Sequence, residues 1–433
     1  MKVRCFRILS KVITNMVLML MNEPLSKAQT KRYDHLVMNK MLKKIGPGII
    51  TAALIFGPGS LTINTKLGAG FGYSLLWVIV MAIILMTAFT NITTRIGLSG
   101  NQSLIALIKG KFGKPLAYVV GLGVFLTTAS FQAGNTVGAG VAFSELFDTS
   151  LLLWLTVFSC SAIALLFFKS FYQILEKLMI ALVVLMLGAF LLTILMAMPD
   201  ISRVLSGLVP DVPKGSEYLI ITLTASSFSI VGAFYQSYLV KEKGCSESNL
   251  SESLGESRTG IIILGLLSTM VMLCAAAVLH GRNIEVRSAA DLGLALEPLF
   301  GSFTSKAFMI GFFAASFSSM VGNATIGGVI LADTFFSENR LSSFRVRSMI
   351  ILVVVIGATV AFIFGALPLE LIIFAQGITI LIVPVAAVAI LLIANSEVMS
   401  TNLKNTTYLN TLGILGIVVL LCMSGYSIKY LLF

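Results

Sequence analysis

Acidic, histidine and cysteine side chains are scarce in this chain: its 433 residues include 19 Asp and Glu, 2 His and 5 Cys. With 30 Lys and Arg, charged residues reach only 11%, against 57% hydrophobic, and the mean hydropathy is +0.98. A water-soluble fold of this length could not hide so much apolar surface, whereas a bilayer accepts it. Cys5, Cys160, Cys245, Cys274 and Cys422 are scattered without CxxC spacing, which excludes a disulfide framework and a thiolate metal site and leaves small buried hydrophobes. His35 and His280 are too far apart in sequence to read as a ligand pair. No GxxxxGKS loop is present, so nothing supports ATP-driven pumping by this chain. HExxH, GxSxG and paired carboxylates are missing too. The chain therefore reads as no enzyme, and no cofactor is expected.

What fills the sequence is membrane-length apolar segments, without the alternation of a β-barrel. Spans are expected near 47–67, 72–94, 116–143, 150–168, 173–197, 217–240, 259–280, 303–332, 347–366, 370–393 and 409–432, eleven in all. The first and sixth are broken. Lys and Arg divide unevenly between alternate connections: 23 on the side of the N-terminus against 7 on the other. The positive-inside rule then puts the N-terminus in the cytoplasm, most simply at the plasma (inner) membrane, and an odd number of spans puts Phe433 outside. The net charge of +11 follows from this bias and implies no nucleic acid; the expected partner is the lipid bilayer. Residues 1–22 read as the first two regions of a signal peptide without a cleavage site, as a surface helix, or as sequence ahead of a later start at Met38 or Met41. They carry none of the functional argument.

Two interruptions organise the chain. "FGPGSLTINTK" (56–66) puts Gly57, Pro58 and Gly59 in mid-span. Pro58 has no N–H to donate, and the glycines tolerate non-helical torsions. Five spans later "SFSIVGAFYQSYLVKEKG" (227–244) loses its apolar character after Val231, so the second break is expected near Gly232 and Ala233. A plain proline kink would account for one break. Two breaks at equivalent places in two five-helix halves point instead to an inverted-repeat transporter, with the solute site at the breaks. The expected organisation is a basic cytoplasmic tail (1–45), a first repeat (46–197), a second repeat (198–393) and an added eleventh helix (394–433).

Several segments resemble the NRAMP family of proton-coupled divalent metal transporters. "IGPGIITAALIFGPGS" is similar to that family's first helix, "SFYQILEKLMIALVVLMLGAF" (170–190) to its fifth, "IGFFAASFSSMVGNATIGGVILADTFF" (310–336) to its eighth and "LIIFAQGITILIVPVAAVAIL" (371–391) to its tenth. The resemblance spans about 45–393 and implies an all-α membrane protein with a LeuT-type 5+5 inverted repeat and broken helices one and six. It also implies symport of divalent metal ions with protons, and a site glutamine at Gln376. The chemistry of the site departs from the family. Where the family reads DPGN, this chain has Gly57-Pro58-Gly59-Ser60; where the family reads MPHN, it has Gly232-Ala233-Phe234-Tyr235-Gln236-Ser237. In helix three the family's acidic residues, linked to proton movement, are matched by Gln132 and Asn135, which are read as candidate coupling or gating residues.

Each replacement keeps hydrogen-bonding capacity and removes charge. A bare divalent cation needs anionic or several dipolar oxygen ligands, because burying its charge uncompensated costs on the order of tens of kcal/mol. A hydrated ion such as Mg²⁺, held by carbonyls, Ser60, Gln236 and Gln376, fits the neutral set better. The exposed N-terminus of the second half-helix also suits a small anion or zwitterion, with Tyr235, Gln236 and Gln376 reading its polar groups. A third alternative is a non-transporting sensor or scaffold. Lys66 is read first as a residue snorkelling to the outer interface and second as an anion-attracting cation. Glu176 is a candidate coupling or gating residue, with a cytoplasmic ion pair as the plainer reading, and Ser318 and Ser319 read as close-packing residues.

Overall fold

The computed structural model describes residues 47–168, 170–281, 286, 289–364 and 369–432. The basic tail and its signal-like segment lie outside the described residues. Among those described, every regular element is helical. In chain order they are α1 Pro47–Ile55, α2 Pro58–Phe71, α3 Leu76–Leu98, α4 Leu104–Phe112, α5 Lys114–Phe147, α6 Leu151–Leu165, α7 Phe171–Ala197 and α8 Ile201–Ser206. There follow α9 Glu217–Ser227, α10 Ile230–Glu242, α11 Leu250–Val278, α12 Ala289–Phe300, α13 Ser302–Phe336, α14 Phe344–Phe364, α15 Leu369–Ala394 and α16 Thr407–Leu432.

Eight of the described helical segments, α9 and α10 being counted together, are long and apolar enough to cross a bilayer, and nine if α1 and α2 form one span. The expectation of eleven also needs α6, with only 15 residues, and α15 to cross.

The first break falls where Pro58 requires it. α1 and α2 meet at 62°, with Pro58 in the first turn of α2 and Gly57 extended at its N-cap, φ −110° and ψ −173°. The second break departs from expectation. α9 ends at Ser227 and α10 begins at Ile230, so the interruption is Phe228–Ser229, upstream of Gly232 and Ala233. The cause is a serine cap: Ser229 Oγ accepts from the Gly232 N–H at 3.1 Å, and Ala233 N–H donates to Ser229 O at 2.9 Å. Gly232 and Ala233 are thereby wound into the first turn of α10. Among the described helix pairs that together are long and apolar enough to span, across a break of four residues or fewer, α1–α2 is the one bent by more than 40°.

The two breaks are held by a scaffold around α13, which is buried along nearly its whole length and packs on α5, α7, α14 and α1. α11 runs against α1, α2 and α3, and α10 lies between α1 and α3. At the foot of α1 the contact with α11 is backbone on backbone. A Cβ placed on Gly260 would stand 2.0 Å from Gly48 O, and one on Gly48 would stand 2.1 Å from Glu256 O. Only glycine permits that approach. Gly260→Val is expected to destabilise the fold by at least about 2 kcal/mol through overpacking, read as a lowered melting temperature of the detergent-purified protein. Gly255→Ala, where an added Cβ meets nothing within 4 Å, is expected to raise the melting temperature slightly, since alanine favours a helix interior over glycine.

Candidate functional site

A cavity of about 50 Å³ opens at the junction of the two breaks. A buried water needs roughly 10–15 Å³ of such space, so the cavity holds a few waters or one small solute. Each wall follows from local sequence. Leu54, Ile55, Gly57, Gly59 and Ser60 come from the α1–α2 break, and Ala225, Ser226, Ser229 and Val231 from the α9–α10 break. Thr127, Phe131 and Asn135 of α5 follow at intervals of four, as do Ser319 and Asn323 of α13. That spacing puts each set on one helical face.

Hydroxyls and amides supply the polarity, and among the described residues no Asp, Glu, Lys, Arg or His lines the space. Among the described residues, no group of three or more His, Cys, Asp or Glu could hold a metal ion. Thr127 Oγ1 and Asn135 Nδ2 are buried without a partner. Both belong to side chains at most 4% exposed, so a solute in the cavity would have donors and acceptors waiting for it.

The main chain at the break is less free than the sequence suggests. Gly57 N–H turns to Ile55 O at 3.0 Å and Pro58 has none, which strips Ala53 O and Leu54 O of their helical donors. Protein side chains replace them. Ser318 Oγ donates to Ala53 O at 3.0 Å and Ser319 Oγ to Leu54 O at 2.7 Å. Asn323 Nδ2 reaches Leu54 O at 3.2 Å, and Ser60 Oγ reaches Ile55 O at 3.1 Å. Ser318 and Ser319 are thus bonding partners of the break, more than packing residues.

Gly57, Gly59 and Ser60, expected at the substrate site, line the cavity, and so does Asn135, expected as a coupling or gating residue; Pro58 shapes the turn without lining it. Gly232, Ala233, Tyr235 and Gln236 are buried inside α10 and stand off the lining, because the break lies upstream of them. Gln236 Oε1 instead accepts from Thr51 Oγ1 and ties α10 to α1. Gln132 is fully buried, with both amide atoms unpartnered, and faces Gly357 of α14 rather than the cavity. Lys66 is half-buried on α2, off the lining. Glu176 is half-buried on α7 within reach of the charge of Lys243, which is itself paired with Glu256 of α11. Gln376 lies on α15, and its side chain is outside the described residues.

The buried acids Glu256 and Asp333 are both engaged away from the break. Asp333 accepts from Tyr238 Oη at 2.7 Å. Thr127, Ser226, Ser229 and Asn323 are lining residues the sequence reading missed. The hydroxyl cluster Ser226-Ser227-Phe228-Ser229 in an apolar span, and a buried amide in another, were the signals available.

With the geometry in place, comparison with known proteins decides the family. The natural resistance-associated macrophage protein-like (Nramp) family profile matches residues 48–429. The chain belongs to the Nramp family. It is 25% identical over 414 residues to the divalent metal cation transporter MntH of Deinococcus radiodurans, covering 91% of each chain. To the MntH of Yersinia pestis it is 23% identical over 397 residues, 90% of this chain and 96% of that one. Among solved structures, the Eremococcus coleocola manganese transporter superposes with a TM-score of 0.73 at 19% identity, over 94% of this chain and 89% of that one. Mhp1, a nucleobase-cation-symport-1 family transporter, gives 0.57 at 14%, over 89% and 92%. This Nramp chain therefore has the LeuT-type architecture of a multi-pass membrane transporter.

Gly57 is a position beside the cavity where that architecture leaves little room. A Cβ there would meet Ser319 Oγ at 2.7 Å, Ser319 Cβ at 2.9 Å and Asn135 Oδ1 at 3.0 Å. Since Ser319 Cβ cannot rotate away, Gly57→Asp alone is expected to lower the melting temperature and to give no gain in Mn²⁺ affinity by calorimetry. Gly57→Asp with Ser319→Gly is expected to recover stability and raise Mn²⁺ affinity at least tenfold.

Proposed function

We propose that this Nramp chain is a secondary transporter that carries a divalent cation through the α1–α2 junction with much of its water shell in place. The observation that carries the reading is the cavity itself: small, lined by hydroxyls and amides among apolar groups, and, among the described residues, free of any charged side chain. Stripping a divalent ion in such surroundings would leave its charge uncompensated at a cost of several kcal/mol or more. Mg²⁺ dehydrates reluctantly and keeps several waters in most sites, so neutral oxygens contacting those waters suffice to hold it. Ser60, Ser229, Thr127 and Asn135 supply the outer contacts. The relatives named as divalent metal cation transporters support the cargo class, and the divergence at Gly57 and along α10 supports the change in how the ion is held.

Alternating access follows from two repeats, 46–197 and 198–393, rocking about this junction, with 394–433 as an appended helix. The cytoplasmic N-terminus belongs to the same proposal, from the excess of Lys and Arg on its side. Neither Gln132 nor Asn135 can carry a proton at ordinary pH, so the α5 positions that match the family's acidic residues cannot relay one here.

A second reading rests on α2, whose N-terminus has no side-chain cap and could receive a small anion or zwitterion. Flux into proteoliposomes separates the two. Mg²⁺ uptake exceeding Mn²⁺ uptake, reduced at least fivefold by Asn135→Ala, is the expected result. Uptake confined to an anion or zwitterion would establish the second reading, and intact protein moving none of these would identify a non-transporting scaffold. In sealed vesicles of cytoplasmic-side-in orientation, protease is expected to spare the N-terminal tail; cleavage of that tail would reverse the orientation.

A further inference from the structure

A second concavity lies on the outside of the bundle and shares no residue with the solute cavity. It is a groove of about 320 Å³. Phe112 and Leu116 come to it from the α4–α5 corner, Leu421 from α16, and Val385, Val388 and Leu392 from one face of α15. Among the described residues every side chain lining it is apolar, and Val385, Val388, Leu392 and Leu421 are exposed. From Pro384 to Leu392 the groove follows α15 for about 12 Å. The hydrocarbon of one leaflet is roughly 15 Å deep, so the groove matches the acyl layer of a single leaflet.

One end of the groove is basic. Lys111 Nζ donates to the carbonyl of Leu392 at 2.8 Å and stands 5.7 Å from the centre of the Phe112 ring. Two lining residues thus hold that ammonium at the mouth, with two of its three protons left for a ligand. Lys114 opens α5, two residues before Leu116. Both lysines are exposed, and among the described residues neither is in an ion pair. Gly113, with φ 86°, gives α5 no side-chain cap, so the first-turn N–H groups and the positive end of the helix dipole add to the same rim.

We propose that this groove binds one anionic phospholipid, with an acyl chain along α15 and the phosphate held by Lys111, Lys114 and the start of α5. Within a bilayer an acyl chain gains little by moving from lipid into an apolar groove, so the groove seats the lipid and the headgroup selects it. Charge complementarity commits the site to that occupant. The tail of this chain fits poorly, since its first 45 residues carry ten Lys and Arg against Glu23 and Asp34. A second copy fits poorly too, because a two-fold pairing over the groove would set one lysine rim against the other. The leaflet is the one on the side where α1 starts, cytoplasmic in the orientation proposed above. Binding itself depends neither on that orientation nor on the transport reading.

The test is titration of the delipidated full-length protein in maltoside detergent with dioleoylphosphatidylglycerol, read by native mass spectrometry and by melting temperature. Saturable retention of one lipid is expected, at least tenfold tighter than dioleoylphosphatidylcholine and weakened by high salt. Lys111→Gln with Lys114→Gln is expected to weaken phosphatidylglycerol at least tenfold, leaving phosphatidylcholine binding and the lipid-free melting temperature unchanged. Val388→Trp, which fills the groove, is expected to weaken both lipids. Equal binding of the two lipids by the wild-type chain would overturn the site, as would a double-lysine variant that binds phosphatidylglycerol like wild type. Displacement of the lipid by equimolar glycerol 1-phosphate would reduce the site to a phosphate contact without the groove. A dimer dissolved by Val388→Trp would give the groove to a second copy, and either result would overturn the proposal.

Discussion

Two main-chain carbonyls set the constraint around which this protein is arranged. A proline at 58 and a turned amide at 57 deprive Ala53 and Leu54 of their helical donors in the middle of a bilayer, where no solvent can replace them. The chain answers from another helix. Ser318, Ser319 and Asn323 of α13 donate to those carbonyls, and the neighbouring faces of α5 and α9 complete a polar chamber in otherwise apolar surroundings. The position of α13, buried between α5, α7 and α14, follows from having to serve the break.

Among the described residues the chamber is neutral, because the residues that stabilise the break are neutral. Hydroxyls and amides are small enough to let α13 and α5 approach Gly57, and that approach leaves no volume for a longer acidic side chain. Binding and packing are therefore one problem at this position. A site made of dipoles must share a divalent ion with its water, and the proposed transport reading follows from that physical limit.

Much of the architecture was legible in the sequence. Membrane-length apolar runs, the Gly-Pro-Gly interruption and the segments similar to Nramp helices led to the LeuT-type fold. The first break fell where Pro58 put it, because proline acts locally and irrespective of context. The second break was misplaced by about four residues, because Gly232 and Ala233 look like breakers while the decisive residue is a serine whose cap becomes visible only when its side chain meets the Gly232 amide. The cavity walls on α5 and α13 depend on which face of each helix turns inward. Asn135 was found through its likeness to a family position. Thr127 and Asn323 carry the same four-residue spacing, yet buried polar residues on apolar helices more often bond within their own helix, as Thr136 does with Gln132 O.

The glycine contact at the base of α1 has a mechanical corollary. Where Gly48 and Gly260 meet, no side chains interlock, so the surfaces resist compression but offer little to oppose rotation. The other end of α1 is fastened by hydroxyl bonds that can be exchanged one at a time. A nine-residue helix about 14 Å long thus has a smooth fulcrum at one end and an exchangeable fastening at the other, the two ingredients of a lever.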